Sequence, residues 1–257
     1  MSEGFPFVGN ELTARLAGGG TRWRWVTAVL AGYLVLAAPL VASAPAGQRA
    51  LAAGIAVLTP ALLFAVGRIL GPRLVLRRLR RPDVEQVRAE ALATALAGAG
   101  VRDLSVACLA GGRLAPRSAG RAYRWGTAGI IMLRPVVRQA HPDLVRFVVA
   151  HEAAHLSRAD TSTGMLAVAG LVGVLDTALV TDPAMIWLAA LGLLGIVAYN
   201  WLRELDCDRI AARATGPAPA HQFIAYLTRA GAHPIRARLT HPPTSLRHRT
   251  ITGTLAR

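Results

Sequence analysis

The chain has 257 residues, of which 53% are hydrophobic and 17% charged. A water-soluble domain averages about 25% charged, so the composition excludes an ordinary soluble enzyme and a disordered tail and points to a membrane protein. The formal net charge is +15 and all 29 basic residues are arginine; they cluster beside apolar runs rather than among aromatics, which fits membrane orientation and no nucleic-acid partner.

Residues 1–24 read as a polar, glycine-rich cytoplasmic tail carrying Arg15, Arg22 and Arg24. Residues 25–44 carry no charge, and at ~1.5 Å per residue they are long enough to cross a ~30 Å hydrocarbon core. Trp23 and Trp25 stand where an interfacial aromatic belt lies. After Pro45 and Arg49, residues 50–67 form a second uncharged run, so 25–67 reads as a transmembrane hairpin. Pro39 and Pro60 lie inside these runs, where lipid-embedded helices tolerate them. A cleaved signal peptide is the rival reading of the first run, with Ala42-Ser43-Ala44 as its cleavage site. The run exceeds the ~7–15 residues of such a core, and Pro45 would hinder cleavage, so an uncleaved anchor is expected. Arginines 68, 73, 77, 78, 80 and 81 follow the second run, against Arg49 alone in the loop. The positive-inside rule then puts the N-terminus and the segment after Gly67 in the cytoplasm.

Helical spacing is expected from Val84 to Ala97, and strands from Val101 to Ala110 and from Gly129 to Leu133, with a Gly/Arg/Pro-rich turn between them. A helix begins near Asp143. Residues 163–180 and 184–202 are two more apolar runs, turning at Asp182-Pro183. Asp176 interrupts the first of them, which makes that run tilted, shallow or packed in a bundle. Beyond 203 the chain is polar, with an amphipathic helix around Pro219 to Gly231 and a basic tail. Cys108 and Cys207 form neither a disulfide framework nor a CxxC zinc pattern, which fits free thiols in a reducing compartment.

The strongest signal is His151-Glu152-Ala153-Ala154-His155. Residues i and i+4 share a helix face, so two imidazoles converge on one Zn²⁺ while Glu152 serves as general base toward the water that the ion acidifies. Composition alone predicts roughly 0.004 such patterns in this chain, so the motif is worth testing; two helix-surface histidines with a solvated glutamate are the alternative, which the apolar flanks Val148-Val149-Ala150 and Leu156 disfavour. A catalytic zinc needs a third protein ligand. Downstream stands Arg203-Glu204-Leu205-Asp206-Cys207-Asp208-Arg209. Glu204 and Asp208 share a face while Asp206 points away; Glu204 is the expected ligand and Asp208 the acceptor for a ligand histidine N–H. Cys207 falls near the same face, where packing suits it better than metal binding. The 163–202 hairpin returns the chain to the depth at which it left, and so brings Glu204 beside the two histidines. Thr240-His241-Pro242-Pro243 and Arg247 supply groups able to donate to an oxyanion, although a His-Pro loop in an arginine-rich tail is also ordinary surface.

Together these motifs resemble the HtpX/CAAX-prenyl-endopeptidase family of integral-membrane zinc metallopeptidases. The resemblance spans the two N-terminal runs, His-Glu-Ala-Ala-His, the membrane hairpin, the Glu204 segment, and Thr-His-Pro-Pro with an arginine six residues after the histidine. It implies one zinc per chain held by His151, His155 and Glu204, with Glu152 as base, Asp208 behind a ligand histidine, and His241 and Arg247 as transition-state helpers. One departure is that Ser118-Ala119-Gly120-Arg121-Ala122 replaces an Asn-Ala-Phe-type stretch, which puts the substrate-edge strand in question. Cys207-Asp208 is also similar to the E-x-x-C-D motif of beta-lactam sensor-transducer peptidases. Those usually carry an extracellular ligand-binding domain, and with 16 residues after His241 this chain is expected to lack one.

The expected fold is thus a mainly α membrane protein with zincin-like helices and a small β-sheet. A peptidase domain at 83–257 is interrupted by the 163–202 hairpin. The expected activity is a zinc-dependent endopeptidase at a bacterial inner membrane, its site facing the cytoplasm, cleaving membrane or misfolded polypeptides that pair with an edge strand in 101–133. The alternatives are a regulator that cleaves one repressor, a catalytically silent relative, and an arginine-rich membrane scaffold without metal.

Overall fold

The computed structural model describes residues 20–79, 84–87, 103–109, 119–125, 127–158, 160–230 and 239–256. Most of the expected tail at 1–24 and residues 88–97 of the expected helix lie outside them. Among the described residues the chain is mainly helical with a small β-sheet, as the sequence implies. It divides into two compact units, one of residues 20–75 and 162–199, the other of residues 1–19, 76–161 and 200–257.

The first unit is built from α1 (Gly20–Ser43), α2 (Arg49–Leu79), α5 (Asp160–Thr181) and α6 (Trp187–Thr215), the last two extending beyond it. Four helical stretches are long and apolar enough to cross a membrane: Arg24–Ser43, Ala46–Leu74, Asp160–Thr181 and Pro183–Thr215. Pro39 lies inside α1 and Pro60 inside α2 without ending either helix. Of these stretches, Asp160–Thr181 is the most enclosed, with 44% of its apolar window buried against at most 17% for the others. It packs through small residues. Gly170 and Gly173 lie against Tyr33, and Gly173 also touches Pro60, while Val174 and Ala178 pack with Leu40 and Leu188. Such close approach is how helices associate where lipid is as apolar as the side chains. The half-buried Asp176 therefore sits on a packed helix, the bundle alternative of the sequence reading.

The second unit holds a four-stranded sheet of order β1-β2-β4-β3, with β1 (Val84–Val87), β2 (Asp103–Leu109), β3 (Gly120–Trp125) and β4 (Ala128–Leu133). β2 and β4 run parallel; β1–β2 and β3–β4 are antiparallel. Two expectations change here. Val84–Val87 is a strand rather than a helix start; so short a segment obeys both periods, and pairing with β2 decides it. The Gly/Arg/Pro-rich turn yields a whole strand, β3, which pairs antiparallel with β4. Its charged residues masked the alternation.

Against the sheet lie α3 (Pro135–Arg138) and α4 (Pro142–Ser157), with α7 (Pro217–Ala230) packed on α4 and α8 (Thr244–Leu255) on α7. Their core joins Ile131 and Leu133 of β4 to Leu144, Phe147 and Val148 of α4, Phe223 and Leu227 of α7, and Ile251 of α8. Phe147 stacks on Phe223 at 4.4 Å. The turn from α6 into α7 is made by Gly216, whose φ of 80° is the left-handed conformation that glycine adopts at no steric cost. Residues 244–255, expected as a basic tail, form α8 instead; the chain buries Arg247 and Ile251 there and exposes Arg249.

Candidate metal centre

α4 is a well-delimited helix. His141 caps it, accepting the backbone N–H of Asp143 at 3.2 Å, and Pro142 opens its first turn. At its other end the buried Arg124 of β3 donates through Nη1 to the carbonyl of Leu156 at 2.8 Å, placing a positive charge at the negative end of the helix dipole. The motif lies in its last two turns, where His151, Glu152, Ala153 and Ala154 are all buried.

The two imidazoles present Nε2 to each other, 3.2 Å apart. Glu204 of α6 completes the cluster, with Oε1 3.2 Å from Nε2 of His155 and Oε2 3.5 Å from Nε2 of His151. The outer ring nitrogens both face carboxylates. Asp208 Oδ1 lies 2.9 Å from Nδ1 of His151, and Asp160 Oδ2 lies 2.7 Å from Nδ1 of His155. Ionised carboxylates only accept, so Nδ1 of each ring is the nitrogen placed to carry a hydrogen, and Nε2 of the neutral ring turns a lone pair inward. Two imidazole Nε2 atoms and a carboxylate meeting at 3.2–3.5 Å need positive charge among them, either protons on the rings or a cation between the three groups. That spacing also matches the edge of a tetrahedron with bonds of about 2.0–2.1 Å, the zinc geometry. The residues fit a zinc ion.

The same carboxylates draw positive charge onto the histidines. Burial alone would lower His151, but its contacts with Asp208 and Glu204 outweigh burial and lift it to about 9. Burial pushes the Glu152 carboxyl up, against the pull of His155 and His151.

The expected helpers sit as follows. His241, partly exposed, points Nε2 toward Glu204 Oε2 at 3.7 Å. Arg247 is buried and committed to Asp208, donating from Nε at 2.7 Å and from Nη2 at 2.6 Å, with its guanidinium 4.9 Å from the Phe223 ring centre. This bidentate pair makes one chain, Arg247–Asp208–His151. Asp206 does point away from the cluster and pairs with Arg158.

Cys207 lies behind His155, its Sγ 3.3 Å from Nδ1 rather than on the Nε2 side. With His155 and Asp160 it forms a second group of metal-binding side chains. Two arginines oppose a cation there: Arg158 Nη2 is 2.8 Å from the sulfur and 3.8 Å from Asp160, and Arg203 Nε is 3.7 Å from Asp160. Arg158 also donates to the carbonyl of Arg203 at 2.9 Å. It thereby ties the end of α4 to the turn of α6 that presents Glu204.

Three residues of this site escape the motif reading. Asp160 orients His155 from the first turn of α5; the signal was a lone acid five residues past His155. Gly120 leaves room for Glu152, since a Cβ there would stand 3.0 Å from Oε1 and 3.1 Å from Cγ. Arg124 fastens β3 to α4. Neither of the last two has a spacing signature, because both act from a strand the sequence hid.

Residues 114–255, more than half of the chain, match the sequence profile of peptidase family M48. The chain belongs to peptidase family M48. No curated protein and no solved structure is matched. The M48 region runs from just before β3 to the end of α8, and so contains every residue of the cluster described above. Membership supports a peptidase, a hydrolase of peptide bonds.

Proposed function

We propose that this M48 chain is a membrane-embedded zinc endopeptidase that hydrolyses membrane or misfolded polypeptides at the cytoplasmic face of a bacterial inner membrane. The observation that carries the reading is the convergence of His151, His155 and Glu204 at 3.2–3.5 Å, with both outer imidazole nitrogens held by carboxylates. These three side chains would hold the zinc. When bound, the ion supplies Lewis acidity toward the peptide carbonyl and lowers the pKa of water.

The chain's own groups do the rest. Glu152 takes the proton from the attacking water and returns it to the leaving nitrogen; its burial raises its basicity for this task. His241, beside Glu204 and partly open to solvent, donates to the carbonyl oxygen as charge develops there. Arg247 positions rather than reacts. It fixes Asp208, which fixes His151. The substrate lies extended along β3, an edge strand packed against α4.

The decisive experiment compares wild type with Glu152→Gln, both purified in detergent with zinc, on an unfolded protein substrate. Wild type should cleave and Glu152→Gln should not, with equal zinc content. Equal cleavage by both would remove the mechanism.

A further inference from the structure

Within that reading, β3 carries a feature that separates this chain from an indifferent peptide-binding edge. Alternate residues of a strand face opposite sides of the sheet. Gly120, Ala122 and Arg124 face α4: Gly120 lies against Glu152, Ala122 packs on the core, and Arg124 reaches the Leu156 carbonyl. Arg121 and Tyr123 therefore share the other face. Arg121 is exposed, and its Nη1 donates to the Tyr123 hydroxyl at 3.3 Å. Among the described residues no carboxylate pairs with it. A guanidinium held by a neighbour, with no carboxylate partner among the described residues, stands one residue along the strand from the glycine beside Glu152.

We propose that Arg121, steadied by Tyr123, selects an acidic side chain in the substrate immediately beside the bond cleaved. The inference rests on the peptidase reading above. A peptide added to β3 alternates as β3 does, so the substrate residue opposite Arg121 turns away from α4 and toward the guanidinium. Cross-strand partners on one face stand close enough for opposite charges to attract and like charges to repel. Guanidinium and carboxylate also match as a bidentate pair. The wider field agrees: a chain of net charge +15 raises the local concentration of acidic segments.

The test uses the full chain with zinc in neutral detergent and a set of extended peptides differing only by Glu, Gln or Lys at successive positions. Binding is read by fluorescence anisotropy in the Glu152→Gln background, and cleavage in the wild type. At one position the Glu peptide should bind and react about fivefold to tenfold better than the Lys peptide. Arg121→Ser should bring that ratio near one, and Arg121→Glu should invert it. A ratio that survives Arg121→Ser overturns the proposal, as does equal binding of all three peptides. Charge-selective binding that depends on Arg121, without any cleavage by wild type, would uphold the strand's selectivity and remove the peptidase reading instead.

Discussion

Asp160 Oδ2 lies 2.7 Å from Nδ1 of His155, while Arg158 and Arg203 stand 3.8 and 3.7 Å from the same oxygen. The carboxylate thus faces one imidazole and two guanidiniums at once. It favours the tautomer of His155 with the hydrogen on Nδ1 and neutralises buried positive charge beside the proposed ligands. Outer partners of this kind are worth about 10–100-fold in metal affinity. Asp160→Asn should raise the zinc Kd by about that factor, measured by competition with a chelator of known affinity. An unchanged Kd would show that His155 needs no help from α5.

What the sequence disclosed and what it hid divide along physical lines. His151, Glu152, His155, Glu204 and Asp208 sit on helices, where a spacing of four residues fixes a shared face. Apolar runs of about 20 residues signal membrane helices by length alone, so α1, α2, α5 and α6 were legible too. Gly120 and Arg124 were not, because β3 reads Gly-Arg-Ala-Tyr-Arg-Trp. An edge strand with arginines on both faces lacks the polar–apolar alternation that betrays a half-buried strand. Arg124 is buried where the C-terminus of α4 offers it carbonyls, which no local pattern announces. Arg247 was found as a residue, but its partner was not: that it turns to Asp208 follows from where α8 packs.

Gly120 bears on Glu152, the proposed base. A Cβ at 3.0 Å from Glu152 Oε1 forces the carboxylate aside, because Glu152 is buried. Misplacing a catalytic group by about 1 Å can cost about 100-fold in rate. Gly120→Ala should therefore lower kcat/KM by about tenfold to 100-fold while zinc stoichiometry stays at wild-type level. Loss of zinc in parallel with activity would show that the strand supports the ligands instead.

Cys207 offers a clean discrimination between its two possible uses. Its sulfur faces the outer nitrogen of His155 and is approached by Arg158 at 2.8 Å. A guanidinium in that position opposes a cation. Cys207→Ala should bind as much zinc as wild type, and titration of wild type with excess zinc should saturate at one ion per chain. A second, tighter-than-micromolar equivalent that vanishes in Cys207→Ala would show that the Cys207 group holds metal.

The buried Arg247–Asp208 pair predicts a coupling that separates positioning from chemistry. Removing one partner of such a pair leaves the other charge buried and uncompensated, at about 3–5 kcal/mol. Arg247→Met should lower the unfolding temperature and weaken zinc binding through the loss of a fixed His151. Arg247→Lys should rescue poorly, since an ammonium cannot make both contacts that the guanidinium makes to Oδ1 and Oδ2. A double-mutant cycle then decides the role. If Arg247 acts only through Asp208, adding Arg247→Met to Asp208→Asn should cost little further in kcat/KM. If instead the guanidinium reaches the substrate carbonyl, its loss should lower kcat by a similar factor in either background. The distances favour the first outcome: Nε and Nη2 are both spent on the carboxylate, and the Phe223 ring lies against the guanidinium. Swinging Arg247 toward a substrate would break two charge-assisted bonds inside the protein.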